Sequence, residues 1–180
     1  GVELDALSDF VTFCISPGIL VAAAVTAEGQ TLATPNGRIL AYASAIIYAV
    51  SGAIRLAKFN TIEHSGEGLK RNFEGIPTTM CGAILSSLML VLIKYDLLSA
   101  SVPWLPGLLV VMGISMVSRV YLPKLVRRSS RFLNYFTVFN VAFMPVLIVS
   151  RQLPEYLLAV TMLYLVVGIA AVNRRGYEIT

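Results

Sequence analysis

The sequence predicts an all-α protein, a polytopic bundle of six transmembrane helices. The chain has 180 residues, of which 57% are hydrophobic and only 13% are charged, and its mean hydropathy is +0.77. These values are far from those of a soluble domain of this length. The apolar residues also gather in segments of bilayer-spanning length, and most basic residues gather on one side of these segments. Together these observations predict an integral membrane protein.

Six apolar segments define the predicted helices, because each is near the length needed to cross a bilayer. They cover residues 10–27, 38–57, 77–98, 102–118, 132–150 and 153–173. Pro77 and Pro154 suit the first turn of a helix, whereas the Pro-Asn-Gly run at 35–37 predicts a tight turn. Pro17 and Pro145 fall inside predicted helices, where we expect kinks.

The basic residues predict the orientation of these helices. If successive helices alternate in direction, eleven basic residues lie on the side where the first helix begins and three lie on the other. The eleven are Arg55, Lys58, Lys70, Arg71, Arg119, Lys124, Arg127, Arg128, Arg131, Arg174 and Arg175. Because loops rich in Lys and Arg stay in the cytoplasm, we expect the start of the first helix to face the cytoplasm from the cell membrane. The run 119–131 suits contact with anionic membrane lipids, and we expect no nucleic-acid binding.

The first nine residues place a glycine and two carboxylates on one helix face. Gly1, Asp5 and Asp9 are four residues apart, so in a helix they lie one turn apart. The two carboxylates repel each other unless a cation, a basic group or a proton intervenes. Two aspartates supply part of the oxygen ligands that Mg²⁺ prefers. The alternative is that they only complement the helix dipole and the water interface.

A basic pair ends the second predicted helix. Arg55 and Lys58 are three residues apart, so they share a helix face at the same membrane level as Asp5 and Asp9. Such a pair can hold a phosphate or a carboxylate. The alternative is ordinary snorkelling of basic side chains at the end of a membrane helix.

Small residues and cysteines are expected to serve packing. We expect Gly52, Gly75 and Gly82 to allow close helix approach or backbone access to a ligand. Cys14 and Cys81 lie in apolar runs without a second thiol or histidine nearby in sequence, so we expect them to be packed in the interior.

Three blocks of the sequence resemble the CDP-alcohol phosphatidyltransferase family. The spacing of Gly1, Asp5 and Asp9 matches the second half of its signature, D-x-x-D-G-x-x-A-R followed by G-x-x-x-D-x-x-x-D. The context Glu-Leu-Asp at 3–5, the R-x-x-K-F-N block at 55–60 and the F-x-G-I-P block at 73–77 are similar to the phosphatidylserine synthase branch. The chain departs from that branch at Cys14, where glycine is usual, and at Thr78-Thr79, where many members continue with Pro-x-Pro-Ala.

The resemblance implies a reaction and a set of site residues. It implies transfer of a phosphatidyl group from CDP-diacylglycerol to L-serine, which releases CMP and forms phosphatidylserine. It further implies divalent cations, Mg²⁺ or Mn²⁺, held by four aspartates that include Asp5 and Asp9, with Asp9 also acting as the general base. The candidate substrate-binding residues are Gly1, Arg55, Lys58 and Asn60. A homodimer is expected by analogy with the family.

Other interpretations stay open at this level. Within the family, the acceptor could be another alcohol, or the donor an archaeal lipid. From another class, a cation-coupled membrane transporter or a structural membrane subunit would share the hydropathy. Since the first half of the signature is absent, we expect this chain to be the C-terminal part of a longer membrane domain. We also expect the 180 residues alone to be inactive.

Overall fold

The structure is a computed structural model that describes residues 2–28, 35–64, 72–118, 121–123 and 154–174. Helices dominate these ranges, and five of the six predicted segments are helical. The remaining segment, 132–150, lies outside the described residues, as does Pro145. The helical class is therefore confirmed for the described part, where one short pair of strands is an addition.

The first predicted helix is longer than its apolar segment. It runs without a break through α1 (Val2–Phe10), a π-helical turn (Val11–Ile15) and α2 (Ser16–Glu28). Helix α3 (Pro35–His64) follows. The tight turn predicted at 35–37 is wrong, because these residues form the first turn of α3. Proline suits this position, since the first N–H groups of a helix have no partner within it.

The remaining elements follow in chain order. They are β1 (Asn72–Glu74), α4 (Thr78–Lys94), α5 (Leu98–Ser101), α6 (Leu105–Val117), β2 (Tyr121–Pro123) and α7 (Pro154–Arg174). Pro154 takes the first position of α7, as predicted, whereas Pro77 precedes the first residue of α4. Helix α4 packs against α7, where Lys94 Nζ lies 2.5 Å from Glu155 Oε1.

The π-helical turn lies directly before Pro17. The Ser16 backbone N–H and hydroxyl both donate to the Val11 carbonyl, five residues back, and the hydroxyl does so at 2.8 Å. Proline has no N–H, so in an α-helix Pro17 would leave the carbonyl of Phe13 without its donor. Here the Tyr48 hydroxyl on α3 donates to the Phe13 carbonyl at 2.9 Å. The proline therefore creates a local change of helix type that a neighbouring helix stabilises.

The first helix and α3 form an antiparallel hairpin. Their contacts run in opposite directions along the two helices, from Gly18 against Ala45, through Phe13 bonded to Tyr48, to Cys14 against Gly52. Cys14 and Tyr48 are both fully buried in this contact. The hairpin brings α1 alongside the second half of α3, where α1 and α3 also pack against each other.

Glycines allow further helices to approach this hairpin closely. A Cβ atom on Gly82 of α4 would lie only 2.9 Å from the Cα and carbonyl oxygen of Phe13. On α6, a Cβ atom at Gly113 would lie 3.1 Å from Ser51 Oγ. The close-approach role expected for Gly52 and Gly82 is confirmed, and Cys81, beside Gly82, is buried as predicted.

A short connection fixes where α4 begins. Strands β1 and β2 pair antiparallel, with Asn72 opposite Pro123. Gly75 follows with φ of +78°, and a side chain there would collide with the Met116 carbonyl. The Ile76 N–H then donates to the Ser115 carbonyl at 3.3 Å. The connection is thus held against the end of α6, directly before Thr78.

Large apolar side chains cover the outer surface of the helices. On α3, Ile39, Ile46 and Ile54 are 66%, 61% and 52% exposed. Among the described residues, two helical stretches are long and apolar enough to cross a bilayer, Leu4–Ala27 and Pro35–Thr61. Shorter apolar helices cover Thr78–Lys94, Leu105–Val117 and Pro154–Val166. An apolar exterior of this kind is unusual for a soluble monomer.

Candidate functional site

The two aspartates of the first block lie on one helix face, as predicted. Both fall within α1, so their four-residue spacing places them one turn apart. Asp5 is exposed, whereas Asp9 is half-buried and lies two residues before Val11, where the π-helical turn begins. Gly1, which shares the spacing, lies outside the described residues. Asp9 is therefore the carboxylate that belongs to the packed part of the structure.

The Arg55 side chain complements this acidic face. The antiparallel hairpin brings α3 beside α1, and the charges of both Arg55 and Asp5 act on the Asp9 carboxylate. Asp5 repels it, since like charges one turn apart are unfavourable, and Arg55 attracts it. The sequence placed Arg55 and the aspartates at the same level, and in the structure the packing of α1 against α3 brings Arg55 within electrostatic reach of Asp9.

Contacts from two directions orient the Arg55 guanidinium. Its Nη1 atom donates a hydrogen bond to Thr78 Oγ1 at 3.3 Å. Its Cζ atom lies 6.0 Å from the centroid of the Phe59 ring, one turn further along α3. The Nε atom is buried, and no hydrogen-bond partner for it exists among the described residues. A buried donor without a partner is costly, so Arg55 retains capacity to bind an oxygen atom of a ligand.

Lys58 and Asn60 continue along the same helix. Both lie in α3, with Lys58 exposed and Asn60 half-buried. Because Lys58 follows Arg55 by three residues in a continuous helix, the two basic residues share a helix face, as predicted. That these side chains bind a substrate stays a prediction.

The donor chemistry of the acidic face suits a hard divalent cation in part. Carboxylate oxygens are ligands that Mg²⁺ and Mn²⁺ prefer, and Asp5 and Asp9 present them one turn apart. Within the described residues, no cluster of three or more His, Cys, Asp or Glu side chains could hold a metal ion. Asp5 and Asp9 could thus supply some of the ligands of a cation site, and the other ligands would have to come from elsewhere.

Two residues of this region were missed by the sequence analysis. Thr78 appeared there only as a departure from a family motif, yet its hydroxyl receives the hydrogen bond of Arg55. Tyr48 was not singled out, although it holds the π-helical turn beyond Asp9. A signal for Tyr48 was present, because Pro17 within a helix leaves a carbonyl that needs a donor from another element.

Comparisons with known proteins find two relatives that carry the same name. The chain is 32% identical over 124 residues to a protein of Helicobacter pylori named CDP-diacylglycerol–serine O-phosphatidyltransferase. It is 30% identical over the same length to a protein of that name from a second strain. Each match covers 68% of this chain and 48% of the relative, so the chain spans about half the length of the curated relatives it matches. The chain matches no family profile.

Proposed function

We propose that this chain is the C-terminal part of the membrane domain of a CDP-diacylglycerol–serine O-phosphatidyltransferase. The observation that carries the proposal is that two motif blocks lie on helices that pack together, with Asp9 of the aspartate block on α1 and Arg55 of the R-x-x-K-F-N block on α3. The names of the two relatives support the same enzyme. They also favour serine over the other alcohols that the motif alone left open.

In the proposed reaction, the hydroxyl oxygen of serine attacks the phosphorus that carries the diacylglycerol. The new P–O bond forms as the bond from that phosphorus to the oxygen of CMP breaks, so phosphatidylserine and CMP are the products. Asp9 accepts the hydroxyl proton, because a carboxylate in reach of the attacking oxygen can act as a general base. Its half-buried position at the packed end of α1 suits this role better than the exposed Asp5.

The site residues would also bind the charged groups that take part in the reaction. Asp5 and Asp9 would hold a divalent cation, Mg²⁺ or Mn²⁺, which when bound supplies positive charge against the diphosphate of CDP-diacylglycerol. Arg55, Lys58 and Asn60 would bind a phosphate or the serine carboxylate, and Gly1 would allow backbone approach. The oriented guanidinium of Arg55, with a buried Nε that lacks a partner in the described part, supports its place in this group.

The proposed location is the cell membrane, with the site facing the cytoplasm. Two helices of spanning length and the exposed isoleucines of α3 support insertion in lipid. The excess of basic residues on the side of Asp9 and Arg55 supports the orientation. Membrane lipids are therefore proposed partners, and a homodimer remains a prediction from the family resemblance.

The test uses the full-length protein that contains this chain, reconstituted in liposomes with CDP-diacylglycerol and Mg²⁺ or Mn²⁺. CMP release is followed with serine and then with glycerol 3-phosphate or inositol phosphate as the acceptor. Release that depends on serine supports the proposal. Release with another alcohol would keep phosphatidyl transfer but replace the acceptor, and no release with any alcohol would favour the cation-coupled transporter.

A further inference from the structure

Thr78 lies at the point where the connection from β1 meets the candidate site. It is the first residue of α4, and its side chain is only 1% exposed. The bond from the Ile76 N–H to the Ser115 carbonyl and the fit of Gly75 against Met116 hold the connection just before it. The position of the Thr78 hydroxyl is therefore set by backbone contacts with α6, independently of Arg55.

The Arg55 side chain is long and has many rotamers. A hydrogen-bond acceptor at a fixed position therefore restricts the orientations that its guanidinium adopts. Thr78 Oγ1 accepts its Nη1–H at 3.3 Å, which restrains one edge of the planar guanidinium. The Phe59 ring lies 6.0 Å from its Cζ atom. The buried Nε, for which the described residues offer no hydrogen-bond partner, is left to bind an oxygen atom. Restraining a guanidinium before a ligand arrives lowers the entropy lost on binding.

We propose that Thr78 is a positioning residue, which holds the guanidinium of Arg55 in the direction that binds an anionic oxygen of a substrate beside Asp9. This inference rests on the proposed phosphatidyl transfer. The oxygen belongs either to the carboxylate of serine or to a phosphate of CDP-diacylglycerol, since both groups offer the same charged acceptor to arginine. Thr78 itself touches no substrate in this arrangement.

The test compares three threonine variants of the full-length protein in liposomes, together with Arg55→Lys. Thr78→Val removes the hydroxyl and keeps the shape of the side chain, whereas Thr78→Ser keeps the hydroxyl. Thr79→Val is the matched control, because Thr79 is the next residue of the same helix and is exposed. For each variant, kcat and KM are measured separately for serine and for CDP-diacylglycerol, together with the melting temperature.

Thr78→Val is expected to raise the KM of one substrate about tenfold, the usual effect of losing a hydrogen bond to a charged group. Thr78→Ser and Thr79→Val should stay within about twofold of the wild type, on the same scale. A rise in the KM of serine assigns Arg55 to the carboxylate, and a rise for CDP-diacylglycerol assigns it to a phosphate. Arg55→Lys must raise the KM of the same substrate. Thr78→Ala, which also removes the hydroxyl, keeps the inference testable if Thr78→Val does not fold.

Several results would overturn the inference. A positioning role would be excluded if Thr78→Val left the KM values unchanged, or if Thr78→Ser raised them as much as Thr78→Val does. An equal effect of Thr79→Val would also exclude it. A rise in the other substrate's KM on Arg55→Lys would exclude it as well. These outcomes presuppose an active wild type. If the wild type releases no CMP with serine, the proposed function itself is wrong and the role of Thr78 falls with it.

Discussion

The Tyr48 hydroxyl on α3 donates a hydrogen bond to the Phe13 carbonyl at 2.9 Å. This contact stabilises the π-helical turn Val11–Ile15, to which Phe13 belongs. Helix α1, with Asp5 and Asp9, directly precedes that turn. The rotation of the acidic face about the helix axis therefore depends on a turn that needs support from outside. Tyr48 supplies that support from a fully buried position.

Removal of the Tyr48 hydroxyl is expected to destabilise the fold. Tyr48→Phe removes the side-chain hydrogen bond to the Phe13 carbonyl, which Pro17 cannot serve, at a cost of about 1 kcal/mol in the free energy of unfolding. Thermal unfolding in detergent measures the change. Tyr42→Phe is the control, because Tyr42 lies on the same helix and is 55% exposed. Equal effects of the two substitutions would contradict the importance of the Phe13 contact.

A side chain at Gly82 is expected to separate α4 from the first helix. The added Cβ of Gly82→Ala would meet backbone atoms of Phe13 at 2.9 Å, closer than such atoms can approach. Overpacking of this kind costs about 1–3 kcal/mol of stability.

The matched control is Gly107→Ala on α6, where no atom of the described residues, apart from the adjacent backbone of α6 itself, lies within 4 Å of the new Cβ. Alanine also favours a helix over glycine by about 1 kcal/mol, so this variant should be neutral or more stable. The melting temperatures of the two variants measure this difference in stability. A Gly82→Ala protein as stable as Gly107→Ala would show that the helices do not pack as closely as described.

The single tryptophan can report how the chain sits in lipid. Trp104 is 80% exposed and lies just before α6. It follows the last turn of α4 in the chain, whereas Thr78 lies in the first turn of that helix. If the helices span a bilayer, its ring belongs at the boundary between headgroups and acyl chains. Its fluorescence should then be quenched by lipids brominated near the headgroup, and only weakly by aqueous acrylamide.

A second variant gives the contrasting depth. In the double substitution Trp104→Phe with Ile46→Trp, the only tryptophan lies near the middle of α3 and replaces an exposed isoleucine. Lipids brominated deep in the acyl chains should quench it most strongly. Full access of acrylamide to either tryptophan in liposomes would argue against the membrane-spanning arrangement.

The helices were largely predictable because membrane spans are encoded by local apolar segments. Their ends were not. Helix α3 continues to His64, beyond the predicted limit at 57, since hydropathy detects the apolar stretch and not the polar turns that extend the helix. Helix α4 ends at Lys94 and not at residue 98, because the chain reverses at Asp96, which adopts a positive φ of 55°. Hydropathy alone contains no information on such a backbone reversal.

The site was predictable only in its local half. The one-turn spacing of Asp5 and Asp9 follows from helix periodicity, and so does the shared face of Arg55 and Lys58. The contact between Arg55 and Thr78 joins residues 23 positions apart, and it depends on the backbone path past the end of α6. Periodicity within a segment cannot predict a contact that tertiary structure creates.

The central claim is tested most directly by serine-dependent CMP release from the full-length protein with Asp9→Asn. The substitution keeps the shape and removes the base, so the account predicts a loss of about 100-fold or more. Asp96→Asn is the control, because it removes the same charge at the far end of α4, in a positive-φ conformation that asparagine tolerates. This control should keep wild-type activity. Wild-type rates from Asp9→Asn, with serine as the acceptor, would contradict the proposed role of Asp9.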